Sequence, residues 1–169
     1  MSARKIIMAA VLLAAGSALA VQVGDVAPDF TAIATSDKPI KLSDFKGSWV
    51  ILFFYPKSFT PGCTKEACSF RDSYGSFQKS SAVVLGASVD TLDTQKSFKA
   101  KNSLPFELLC DSEKNIARAY DALALGGLFA QRKTFLINPG GRIAAILDHV
   151  NPLSHDAEVL STLRRLQSK

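Results

Sequence analysis

The chain has 169 residues, 47% of them hydrophobic and 21% charged, with 20 Lys+Arg against 15 Asp+Glu and a net charge of +5. That length suits one domain with a full core. The mild positive balance is scattered and does not point to nucleic acid, and no internal repeat, low-complexity tract or obvious linker divides the chain.

Met1 to Lys5 carries Arg4 and Lys5, Ile6 to Ala15 is an uninterrupted apolar run, and Ala18-Leu19-Ala20 supplies small residues before a cleavage point. This reads as a secretory signal peptide over residues 1–20, leaving a domain of residues 21–169. An uncleaved anchor is the alternative, but an apolar core of about ten residues is short beside the roughly 20 that span a bilayer. No cysteine follows Ala20, so a lipid-anchored form lacks its attachment residue. We therefore expect an exported protein with no stable membrane association after cleavage, periplasmic in a bacterium or else in an organelle lumen. Without Arg4 and Lys5, the 20 basic residues become 18 and the net charge falls from +5 to +3.

Along the remaining chain, strand-like and helical runs alternate. Strands are predicted at Phe30 to Ala34, Ser48 to Tyr55, Ala82 to Val89, Leu108 to Cys110, Thr134 to Asn138 and Ile143 to Leu147. Helices are predicted at Pro61 to Lys79, Asp93 to Lys101, Lys114 to Tyr120 and His155 to Gln167. The turn Asn138-Pro139-Gly140-Gly141 makes the last two strands an antiparallel hairpin. The whole fits an α/β, thioredoxin-like fold: a mixed central β-sheet with helices on both faces. Asp121 to Ala130 is apolar and glycine-bearing; a short helix ending at Gly126-Gly127 with its apolar side packed down is preferred over a flap or contact surface.

The chemistry concentrates in Pro56-Lys57-Ser58-Phe59-Thr60-Pro61-Gly62-Cys63-Thr64-Lys65-Glu66-Ala67-Cys68. Thr60 suits an N-cap and Pro61 the first helical position, so Cys63 falls in the first turn. There, unpaired N–H groups and the helix dipole favour a thiolate. The preceding strand delivers this cysteine to the carboxyl edge of the sheet, where open α/β folds place their active sites. Five residues along a helix leave two Cα atoms about 8 to 9 Å apart. A disulfide needs them within about 7 Å. A Cys63–Cys68 bond thus requires local unwinding and reads as a cycling bond, with a static structural disulfide as the alternative.

Together with Gly24-Asp25-Val26-Ala27-Pro28-Asp29-Phe30, Leu42-Ser43-Asp44-Phe45-Lys46-Gly47, Gly86-Ala87-Ser88-Val89-Asp90, Leu104-Pro105-Phe106 and Arg132-Lys133-Thr134-Phe135-Leu136-Ile137, this motif closely resembles the peroxiredoxins. The specific likeness is to their Q-type, or bacterioferritin-comigratory-protein, branch, and it covers about residues 22 to 168. The resemblance implies that Cys63 attacks H2O2 or an organic hydroperoxide, that Cys68 resolves the sulfenic acid as an intramolecular disulfide, and that a thioredoxin-like or glutaredoxin-like reductant recycles it. It implies a peroxide pocket of Pro56, Thr60, Cys63 and Arg132, no metal, haem or flavin, and a monomer.

Each carried-over role has a physical reason. Pro56, with no N–H and a fixed φ, can wall the pocket. Thr60 can donate to a peroxide oxygen while accepting from an N–H. Arg132 is permanently charged and can stabilise both the thiolate and the leaving oxygen. Glu66 either orients the loop or an arginine, or is a solvated first-turn glutamate. Ser58 and Asn138 stand where the family more often has acidic residues. Cys110, at a strand end, reads as a small hydrophobe in the core, with a back-up resolving or intermolecular thiol as the alternatives.

Two other classes compete. A thiol–disulfide exchange enzyme usually has two residues between its cysteines, whereas four intervene here. A copper-handling protein would use the thiolates with His149 or His155, although both histidines read as surface residues.

Overall fold

The central strand, β3 (Trp49–Phe54), shows why the fold has two cores. Its side chains alternate: Ile51, Phe53 and the following Tyr55 enter one apolar cluster, and Val50, Leu52 and Phe54 the other. A strand covered on both faces reads as a continuous apolar run for this reason. The computed structural model describes residues 20–168 apart from Leu125 and His149, so the expected signal peptide lies outside the described residues except for Ala20.

In chain order the elements are β1 (Thr31–Ile33), β2 (Pro39–Lys41), a 3-10 turn (Leu42–Phe45), β3, α1 (Pro61–Asp72), α2 (Tyr74–Lys79), β4 (Ala82–Ser88), α3 (Leu92–Asn102), β5 (Glu107–Cys110), α4 (Asn115–Ala119), β6 (Lys133–Ile137), β7 (Ile143–Leu147) and α5 (His155–Gln167). Five strands form a mixed sheet in the order β5-β4-β3-β6-β7. Strands β3, β4 and β5 pair in parallel, while β6 runs antiparallel to both β3 and β7. The parallel pairs require helical crossovers, and the antiparallel pair needs only the Asn138–Gly141 turn.

Residues of α1, α2, α3 and α5 pack on one face of the sheet through Ala67, Phe70, Phe77, Phe98, Val159 and Leu163. The other face is covered by α4 and the β1–β2 hairpin region, through Ile116, Ala117, Ala32 and Leu42. This is the expected thioredoxin-like architecture. Phe53 anchors the helical side, stacked on Phe70 at 4.6 Å and edge-on to Phe106 at 5.8 Å. Gly86 of β4 is glycine because a Cβ there would lie 2.7 Å from Leu108 and 2.8 Å from Phe53.

The architecture departs from expectation in several places. The helix from Pro61 to Lys79 is two helices broken at Ser73, whose hydroxyl donates to Asp156 at the start of α5. That tertiary contact is invisible in local propensity, and the break lets Phe77 stack on Phe70 at 5.6 Å. The strand β2 and the 3-10 turn, held by the Lys41 N–H donating to Asp44, went unread because both are short.

The apolar segment from Asp121 to Ala130 is not a helix. Leu123 bridges Ala130, the Ala124 N–H donates to the Phe129 carbonyl at 2.9 Å, and Gly126 and Gly127 turn the chain at φ 86° and 66°. Its apolar side is packed down only in part: Ala122 and Ala130 are buried in the core with Leu123 against them, while Leu128 is 68% exposed and Phe129 42%.

Candidate active site

Strand β3 ends at the sheet's carboxyl edge, and residues 55–60 carry the chain from there into α1. The loop is tied down from beneath: the Ser58 N–H donates to Asp90 at 2.7 Å, and the Ser88 hydroxyl donates to the same carboxylate oxygen at 2.9 Å. Tyr55 and Ser58 share a hydrogen bond of 3.3 Å. Burial pushes the Tyr55 phenol well above its ordinary value, so it stays a neutral hydroxyl within this network. Phe59 adopts φ 66°, an uncommon conformation for a non-glycine residue, and its half-exposed ring lies edge-on to Phe98 at 5.3 Å.

Helix α1 begins where the sequence places it. Thr60 is the N-cap position and Pro61 the first helical residue, but the Thr60 side chain makes no capping bond. Its hydroxyl donates instead to the Lys57 carbonyl at 2.9 Å, while its carbonyl accepts the Thr64 N–H. This corrects the expected arrangement of a hydroxyl that accepts from an N–H and donates to a peroxide: the hydrogen is committed to Lys57, and the lone pairs of the Thr60 oxygen remain for an incoming donor. Pro56, in the same loop, is half-buried.

Cys63 lies in the first turn of α1 and is 2% exposed. Arg132, in the segment entering β6, reaches across the sheet edge, and its Nη2 donates to Cys63 Sγ at 3.4 Å. Pairing of β3 with β6 makes this possible, since Phe54 and Lys133 are register partners. The other guanidinium nitrogen, Nη1, donates to Glu66 Oε2. Glu66 is three residues after Cys63, hence on the same helix face one turn on.

Glu66 is fully buried, which settles the alternatives for it: it is not a solvated first-turn glutamate but the partner of the arginine. Its second oxygen meets His155 Nδ1 at 2.6 Å. His155, expected on the surface, is 0% exposed, because its carboxylate partner comes from another helix 89 positions away. No spacing rule reveals such a contact, and His155 is the functional-site neighbour that sequence reasoning missed.

Cys68 is on the same unbroken helix but not beside Cys63; it is half-buried, with Sγ 3.8 Å from the Asn102 side chain. All three cysteines are free. Cys110 ends β5, half-buried, its sulfur 3.6 Å from the Asp90 carbonyl. Among the described residues no three His, Cys, Asp or Glu side chains come together as a metal-holding group. What the arrangement offers chemically is an enclosed sulfur nucleophile, a fixed cation facing it, and a second thiol that helix unwinding can deliver.

The profile of the AhpC/TSA family matches residues 23–146. The chain is 41% identical over 157 residues to a protein of Bacillus subtilis named Peroxiredoxin Bcp, covering 89% of this chain and 100% of that one. Among solved structures it superposes on a mutant of PrxQ from Xylella fastidiosa with a TM-score of 0.82 at 30% identity, covering 88% of this chain and 98% of that one. It also superposes on the bacterioferritin comigratory protein of Xanthomonas campestris, described for its alkyl peroxide reduction activity, with a TM-score of 0.80 at 28% identity over 88% and 98% of the two chains.

Proposed function

The chain belongs to the AhpC/TSA family, among the peroxiredoxins of the Bcp and Q type, and is a thiol peroxidase; we propose that Cys63 is its peroxide-reacting residue and Cys68 the thiol that resolves the product. The observation that carries this reading is the Cys63 sulfur, enclosed in the first turn of α1 with the Arg132 guanidinium 3.4 Å away.

In the first step the Cys63 thiolate attacks one peroxide oxygen. The O–O bond breaks, the sulfur loses two electrons and becomes a sulfenic acid, and the leaving hydroxide or alkoxide takes a proton to become water or alcohol. Arg132 faces both the sulfur and the developing negative charge, which is where a preorganised donor has the largest effect. Thr60 offers its oxygen at the mouth of the site, and Pro56 presents no N–H to compete for the thiolate. In the second step the Cys68 thiol condenses with the sulfenic acid, forming the S–S bond and releasing water. A thioredoxin-like or glutaredoxin-like dithiol then supplies two electrons and two protons by exchange. Substrates are H2O2 and organic hydroperoxides; the alkyl peroxide reduction described for the Xanthomonas protein supports the second class.

The remaining elements of the proposal come from the sequence. Residues 1–20 act as a signal peptide, and the domain of residues 21–169 works outside the cytoplasm as a monomer, periplasmic in a bacterial source. Among the described residues no helix is long and apolar enough to cross a membrane.

The test is rapid mixing of the reduced protein with a small excess of H2O2, followed by intact mass and peptide mapping. The expected result is a Cys63–Cys68 disulfide in the parent chain, sulfenic or sulfinic acid on Cys63 in Cys68→Ser, and no reaction in Cys63→Ser. Peroxide consumption equal in parent and Cys63→Ser would refute the assignment.

A further inference from the structure

Glu66 stands between the two cysteines, and both of its carboxylate oxygens are committed: Oε2 to Arg132 Nη1 and Oε1 to His155 Nδ1, at 2.6 Å. Glu66 and His155 are each 0% exposed. A carboxylate can only accept, so it is His155 Nδ1 that donates to Glu66. His155 Nε2 is buried with no hydrogen-bond partner among the described residues. The ring is fixed edge-on to Phe70 at 5.1 Å. The next residue, Asp156, accepts from the Ser73 hydroxyl, so the first turn of α5 holds α1 both at Glu66 and at its C-terminal break.

We propose that His155 is a positioning residue of the peroxidase reaction: by holding Glu66 it aims Arg132 at the Cys63 sulfur and keeps the first turns of α1 wound. The inference rests on the reading of Cys63 as the peroxide-reacting residue. Arg132 is a long side chain with many rotamers, and its direction is set by the carboxylate that its second nitrogen meets. A carboxylate gripped at one oxygen only can swing; gripped at both, it fixes the guanidinium so that Nη2 meets the sulfur. Displacement of a positioned group by about 1 Å costs on the order of a hundredfold in rate. The second effect has the opposite sign. Bringing Cys68 to Cys63 unwinds the segment that contains Glu66, which must then leave His155. The contact that speeds the first step therefore retards the second, and a histidine that merely filled space would do neither.

The experiment is stopped-flow oxidation of the full chain by H2O2, comparing His155→Leu, His155→Asn and Leu163→Ala. Each is measured in a Cys68→Ser background for the first step and with both cysteines present for disulfide formation. His155→Leu should slow Cys63 oxidation about ten- to a hundredfold and speed the subsequent disulfide step severalfold. His155→Asn, whose amide nitrogen can take the place of Nδ1–H, should restore oxidation to within about threefold of the parent. Leu163→Ala loosens the packing of α5 without touching Glu66 and should leave oxidation within about twofold of the parent. The proposal is overturned if His155→Leu reacts like the parent, if His155→Asn is as slow as His155→Leu, or if Leu163→Ala is equally slow. A parent chain whose peroxide consumption survives Cys63→Ser would sink the functional reading and this inference with it, a result that the His155 comparison cannot itself produce.

Discussion

Cys63 and Cys68 share one unbroken helix, yet the two ends of that five-residue interval are built differently. Around Cys63 the sulfur is enclosed, a guanidinium donates to it, and the arginine is anchored through a fully buried glutamate to a buried histidine. Around Cys68 the sulfur is half-buried, meets the Asn102 side-chain oxygen at the long distance of 3.8 Å and interacts with the Arg71 guanidinium one turn on. The first cysteine is held in place by groups from the segment entering β6 and from α5; the second has only Arg71 of its own helix and Asn102 of α3 as its polar neighbours among the described residues. Reactivity at the first thus depends on tertiary contacts, and mobility at the second on how easily a turn or two of helix opens.

The largest way to break this contrast is to remove the cation. Arg132→Gln should lower the rate of Cys63 oxidation by roughly a hundred- to a thousandfold, the effect of deleting one preorganised donor, while alkylation of Cys68 proceeds as in the parent. Rapid mixing with H2O2 and with iodoacetamide measures the two sides separately, and an equal loss at both cysteines would show general disruption instead.

A smaller change sharpens the other side. Lys65 is exposed and lies between the cysteines, so Lys65→Gly removes no core contact but weakens the helix by about 1 kcal/mol. That amount corresponds to roughly a fivefold change in an equilibrium. Disulfide formation should therefore accelerate about fivefold with Cys63 oxidation unchanged, as read by quenched-flow trapping of the sulfenic acid.

The smallest effect is a control distant from the helix. Glu107 loses solvation on burial, but the Lys99 ammonium at 2.6 Å, the Thr35 hydroxyl at 2.7 Å and the Ser36 N–H at 2.9 Å outweigh that cost and hold its carboxyl below the usual value of 4.5. The folded state thus binds this proton less readily than the unfolded state. The stabilisation is complete above the ordinary glutamate value and is lost as pH falls below it through the folded value. Thermal melts taken between about pH 6 and pH 3 should show a steeper acid loss in the parent than in Glu107→Gln, with the reactivities of Cys63 and Cys68 unmoved.

Much of this architecture was legible beforehand because it rests on local rules. The run from Trp49 to Phe54 is a central strand because apolarity on both of its faces requires two covering layers, and α5 starts and ends at the residues its pattern predicts. The Asn138–Gly141 turn makes an antiparallel hairpin from its own turn chemistry. Where local rules failed, a distant partner intervened: Asp156 meets Ser73 at the break of the long helix, and Glu66 draws His155 inside. The glycines at 126 and 127 turn the chain back instead of capping a helix, which lets Ala124 pair with Phe129.

From the residues alone came the family, the alternation of strands and helices, the seating of Cys63 in a first helical turn and the distance that separates it from Cys68, because each depends on near neighbours and on fixed backbone geometry. Only the tertiary structure decided what faces the sulfur. Arg132 reaches it because β6 pairs with β3, and Glu66 is buried because residues 66 and 89 positions away supply its hydrogen bonds. A charge cannot remain inside a core without partners, and which partners arrive is a property of how the chain folds back on itself.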